Sequence, residues 1–239
     1  MRHVEGVVRG FLTLRTLEGN PLADGDLIQV AHGDRVTSRV VFHFRDGSVH
    51  DETVVFSQRR SFRLVSDRLI QKGPSFPTPM EVSIDGTSGR VTVRYRDEDG
   101  KEKVADERLK LPADVANGLM TTLLKNLRPE INGATVSMVA ATPKPRLVKL
   151  AISQAGEDPF SLGSSSHKAI RYVVKVGGLT GLLAPLAGKK PPDTDVWILP
   201  GEAPAFVKSE GPLYFGGPAW RIELASPVWP QAQEPATKR

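Results

Sequence analysis

No cysteine occurs among the 239 residues. Disulfides, thiolate nucleophiles and cysteine-ligated metal centres are therefore excluded. No apolar run approaches the ~20 residues that a membrane-spanning helix needs. Neither Gly-x-Ser-x-Gly nor His-Glu-x-x-His is present, so serine and zinc hydrolases lack their local markers. Aromatics are sparse, with three tryptophans and three tyrosines. Charge of one sign is never concentrated, although the net charge is +5. The densest basic stretch, Arg35 to Arg68, is preceded by Asp34 and interrupted by Asp46, Asp51, Glu52 and Asp67. A nucleic-acid binder gathers its cations on one face; here a mixed, solvated surface is expected, with no nucleic-acid partner.

What is present is alternation with the period of a β-strand. Val36, Val40, Phe42 and Phe44 share one face of a strand, and Arg35, Thr37, Arg39, His43 and Arg45 the other. Asp46-Gly47 then supplies a hairpin signal. Met80, Val82 and Ile84 alternate likewise, as do Val91, Val93 and Tyr95, with turns at Asp85–Gly89 and Asp97–Gly100. Further strands are expected over 101–111, 135–141, 146–153, 167–176, 195–199, 205–209 and 219–225.

One segment breaks the pattern. In LPADVANGLMTTLLKNLRP, Val115, Leu119, Leu123 and Leu127 recur every fourth residue, which predicts a long amphipathic helix ended by Pro129. Gly118 inside it costs about 1 kcal/mol against Ala and signals close packing against something bulky. The expectation is mainly β: ten to twelve strands in a strongly curved antiparallel sheet, an open or half barrel, wrapped around that helix. Residues 1–226 form a single β-rich domain in this reading, and 227–239 a polar tail.

The order of these elements, with the phrases SDRLIQKGPSFPTPMEVSID, LPADVANGLMTTLLKNL and DTDVWILPGEAPAFVKSEGPLYFGGPAWRIEL, resembles uncharacterised bacterial envelope proteins. Their fold is similar to the periplasmic lipoprotein-carrier half-barrel. The resemblance implies a non-enzymatic protein that holds an apolar or lipid-like ligand between sheet and helix. It also implies a periplasmic or secreted location, given an export signal beyond Met1 to Glu5, which lead straight into strand-like sequence; otherwise the location is cytoplasmic. Arg60, Phe62, Leu119, Leu123, Leu182, Leu183 and Trp197 are the expected ligand-contacting residues. No metal and no cofactor are expected.

Three stretches carry competing readings. His50 and Glu52 share one strand face and Asp51 the other, so the three cannot form one triad; the plainer expectation is exposure just after the turn. The alternative is a hydrolase or metal-dependent enzyme with a cleft near His50, Glu52 and Arg60. In VVFSQRRSFRL, Gln58-Arg59-Arg60 reads as a turn or bulge that exposes both arginines, or else Arg60 holds a ligand head group. The stretch GGLTGLLAPLAGKKPPD fails as a phosphate loop: Leu183 stands where the first glycine belongs, and Lys190 where Ser or Thr belongs. Its Leu179–Lys190 portion reads as a turn capping the core or as a tip touching an anionic membrane.

Overall fold

In the computed structural model the described residues are 1–97, 99–128, 133–162, 165–177 and 192–225. Two meanders make up the fold. The first runs through β1 (Val8–Thr16), β2 (Pro21–His32), β3 (Arg35–Phe44), β4 (Val49–Ser57), β5 (Arg63–Lys72), β6 (Met80–Asp85), β7 (Arg90–Arg96) and β8 (Glu102–Arg108). After α1 (Met120–Asn126) come β9 (Gly133–Ala140), β10 (Arg146–Leu162), β11 (Ser165–Gly177), β12 (Thr194–Leu199), β13 (Ala205–Pro212) and β14 (Ala219–Leu224). All fourteen strands join one antiparallel sheet, ordered from β8 down to β1 and then from β14 down to β9. Neighbours are consecutive in sequence except β1 and β14, whose ladder pairs Leu12 with Leu224 and Leu14 with Ile222. The sheet is thus an up-and-down barrel left open between β8 and β9, and no ladder joins these two among the described residues. The architecture is mainly β and strongly curved, as expected.

Instead of meeting edge to edge, the two ends overlap. Leu150 and Ile152 of β10 face inward with Leu124, Tyr172 and Ile198. On the opposite face of β9 and β10, Val139 and Leu147 pack on the inward residues Val82, Ile84, Val91 and Val93 of β6 and β7. The β6–β8 end therefore lies over part of the β9–β10 end and covers its outer face at Val139 and Leu147. The free edge of β9 is capped by the segment before α1. The Ala116 amide donates to the Ser137 carbonyl at 2.8 Å, and the Asn117 side chain satisfies both backbone groups of Val139, at 2.8 and 3.0 Å. The other edge, β8, is charged and exposed, which discourages pairing with a further strand.

The helix is much shorter than its four-residue periodicity suggests. Gly118 has φ +61°, a left-handed conformation that ends helical propagation. Asn117, committed to the β9 edge, holds the turn there. The regular helix starts only at Met120, after the N-cap Leu119, which is buried against Val36, Val54 and Phe56. The close approach expected at Gly118 is to Val54, whose Cβ would lie 2.9 Å from an added Cβ. Gly118→Ala is expected to cost about 2–4 kcal/mol from left-handed strain plus overpacking. A shift in the urea midpoint at constant slope would measure it; an unchanged midpoint would contradict the clash.

Strand β10 also outruns its expected end at Ser153. A bulge between Gln154 and Glu157, with Gly156 at φ +115°, lets the ladder to β11 continue to Leu162. Pro159 is tolerated because β9 stops pairing at Ser153, so the proline has a strand on one side only. The single sheet spans Val8 to Leu224; the tail expected over 227–239 lies outside the described residues.

Candidate functional site: a polar corner in the barrel interior

Strand alternation and register assemble the site. On β4, His50, Glu52, Val54 and Phe56 point inward, opposite Phe42, Val40, Ser38 and Val36 of β3. Across the β4–β5 ladder, His50 faces Gln71, Glu52 faces Leu69 and Val54 faces Asp67. The carboxyls of Glu52 and Asp67 are therefore diagonal neighbours on adjacent strands, within side-chain reach. Exposure of His50 after the turn is corrected here: its side chain points into the barrel and the residue is 5% exposed. Asp51 does take the outer face, where its carboxylate accepts two hydrogen bonds from Arg39 at 2.9 and 2.7 Å.

His50, Glu52, Asp67 and Gln71 form one side of a cavity of about 350 Å³. The remaining wall is largely apolar, including Leu69, Met120, Met138, Leu150, Val174 and Leu213. Toward β2 and β14 the interior is filled by Phe44, Phe76, Tyr214 and Trp220, with ring centroids 5.3 to 6.4 Å apart. No lysine or arginine lines the cavity among its described residues.

Each polar group has a distinct electrostatic state. The Gln71 amide nitrogen donates to the Leu213 carbonyl at 2.8 Å and lies 3.0 Å from His50 Nδ1. An amide nitrogen can only donate, so Nδ1 is the acceptor and the neutral ring carries its proton on Nε2. Burial pushes the His50 pKa down to about 4, which keeps the ring uncharged. Glu52 fronts the cavity and is otherwise enclosed by the sheet; burial pushes its pKa up to about 7. Asp67 is raised well above the usual carboxylate range by burial and then by the Glu52 charge. Asp67 is 4% exposed, and its Oδ1 is buried without a hydrogen-bond partner among the described residues. An unpaired buried oxygen costs about 1–3 kcal/mol, and such groups persist mainly where something else uses them.

The expected contact residues are divided by the structure. Phe62, Leu119 and Leu123 do come together, on a second cleft of about 390 Å³ between α1, the β4–β5 loop and β9. Arg60 is exposed on that loop, as the turn reading expected, and lines neither cavity. His50 is near the start of β4 and Arg60 beyond its end, about 23 Å along the strand at ~3.3 Å per residue. Trp197 lies on the outer sheet face, since Val196 and Ile198 beside it point inward. Its indole N–H donates to Asp158 at 2.7 Å, and the Lys208 ammonium sits 4.1 Å from its ring centroid. Leu182, Leu183 and the Leu179–Lys190 stretch lie outside the described residues.

Asp67 and Gln71 were missed as site residues, although a signal existed. Arg68 and Lys72 alternate with Asp67, Leu69 and Gln71; once the two cations are placed in solvent, the acid and the amide must face inward. Among the described residues no three His, Asp or Glu side chains converge as metal ligands.

No family model matches the chain, and no curated protein matches it. It is similar to the crystal structure of a beta-barrel-like protein of a domain of unknown function, DUF1849, from Brucella abortus. The likeness covers 92% of this chain and 95% of that one at 10% identity, with a TM-score of 0.53. At that identity the shared property is the β-barrel-like fold. The expected resemblance is met in the barrel-like fold only; the neighbour does not show a lipoprotein-carrier likeness.

Proposed function

We propose that the protein is a non-enzymatic binding protein that holds a small, largely apolar molecule inside its barrel. The supporting observation is the cavity itself: apolar walls with one convergent cluster of buried polar groups, the usual composition of a small-molecule site. At 350 Å³ it has room for about ten non-hydrogen atoms, at ~30 Å³ each. From the lipoprotein-carrier resemblance this reading keeps the idea of a ligand between curved sheet and helix. It places that ligand beside Met120, on the interior side of α1, and treats the cleft at Phe62 and Leu123 as secondary.

Titration calorimetry with 1-octanol tests the reading. The parent protein is expected to bind, and Met138→Trp, which fills the cavity, to lose binding by tenfold or more (about 1.4 kcal/mol). Phe62→Trp in the second cleft is expected to leave the affinity unchanged. Absence of binding to the parent protein, or equal binding to parent and Met138→Trp, would remove the cavity as the site.

A further inference from the structure

We infer that the cavity selects a cationic amphiphile, a small apolar molecule headed by an ammonium group seated between Glu52 and Asp67. This rests on the binding reading above and specifies its ligand class. Four observations carry it. Two carboxyl groups, on adjacent strands, line the same cavity. One of them, on a residue 4% exposed, has an oxygen that no group among the described residues satisfies. No lysine or arginine of the described wall offsets them. The neighbouring imidazole cannot serve as the counter-ion, because its Nδ1 is engaged by the Gln71 amide.

An acid pair inside the barrel with no cation on the described wall favours a ligand that brings one. An ammonium group supplies three donors and a full positive charge, which suits both carboxyls and the unpaired Asp67 oxygen. A hydroxyl offers one donor and no charge, and a carboxylate would be repelled. Seating the ammonium favours the ionised form of the pair, so binding releases a proton to solvent. The other titratable groups on the described cavity wall are His50, held neutral by burial, and Tyr214, whose hydroxyl burial pushes further up. Strands β3, β6, β9, β10 and β11 and the start of α1 contribute no charged side chain to the described wall.

The test uses three probes with the same eight-carbon tail: octylamine, 1-octanol and octanoate. At pH 7.5 octylamine is expected to bind about tenfold tighter than octanol or better, and octanoate weaker than octanol. With Glu52 at about 7, each pH unit below that costs octylamine up to about tenfold, so its advantage is gone at pH 5.5. Glu52→Gln/Asp67→Asn is expected to abolish the preference for octylamine over octanol, and a cooperative thermal unfolding transition shows independently that the variant is folded. Octanol bound with no preference for octylamine, or octanoate bound most tightly, would overturn the cationic ligand and leave the binding reading standing. Failure of all three probes to bind would instead remove the binding reading, and this inference with it.

Discussion

Replacing the two interior acids by their amides, Glu52→Gln/Asp67→Asn, is expected to stabilise the ligand-free protein at pH 8. The gain is about 3 kcal/mol from Glu52 alone, taken at ~1.4 kcal/mol per pKa unit between its ordinary 4.5 and about 7. Its sign follows from proton binding. Both acids titrate higher in the folded protein than in the unfolded chain. Above the unfolded pKa the folded state therefore holds more protons, and stability falls as pH rises toward 7. His50 acts in the opposite direction. Its folded pKa of about 4 lies below the ordinary 6.5, so the unfolded chain binds the extra proton and stability rises across that window. In the parent protein the two effects largely offset, and Asp67 tips the balance toward a decline with pH. In the amide variant His50 is the one of these three groups that still contributes, so their share of the stability climbs from pH 4 to 6.5 and then levels. Thermal unfolding should show the variant roughly 6–12 °C above the parent at pH 8, with the difference closing near pH 4. A variant less stable at pH 8, or an offset independent of pH, would mean the pair is ionised and satisfied in the folded protein.

Lys125→Met has the opposite expected sign and a comparable size. Lys125 on α1 donates to Glu5 at 2.6 Å, with the two side chains 14% and 5% exposed. Glu5 Oε2 also accepts from Gln29 of β2 at 2.9 Å, while the Gln58 side chain pairs with the Glu5 backbone at 2.7 and 3.0 Å. This network holds the first residues, β2, the end of β4 and the helix in one arrangement. Methionine preserves the apolar stem but leaves Glu5 buried without its cation, at a cost of about 3–5 kcal/mol. Glu5→Gln/Lys125→Met removes both charges and is expected to recover most of that loss. Urea unfolding of the four species would give the coupling between the residues. Additive single losses would show that they act independently.

These two sites were legible in the sequence to different degrees. Period-two alternation puts His50 and Glu52 on the face shared with Val54 and Phe56, so their company was readable from the chain. Their exposure was not, because facing the core and lining a solvated concavity leave the same local pattern. Glu5, Gln29, Gln58 and Lys125 stand far apart in sequence and carry no periodic signal of their own; only folding brings them together.

By itself the sequence determined the antiparallel β character, most of the strands and their turns, although fourteen strands form where ten to twelve were expected. Alternating apolar side chains and left-handed glycines act over two to four residues, and those are the distances a chain reveals without its fold. Tertiary structure alone decided three other matters. The left-handed Gly118, needed for contact with Val54, cut the helix to one face of the cavity. The register of β4 against β5 set Glu52 diagonal to Asp67. The overlap of the two sheet ends enclosed both acids without a cation from the described wall. Each depends on pairing between segments distant in the chain, where the energy of a contact is set by partners that local pattern cannot name.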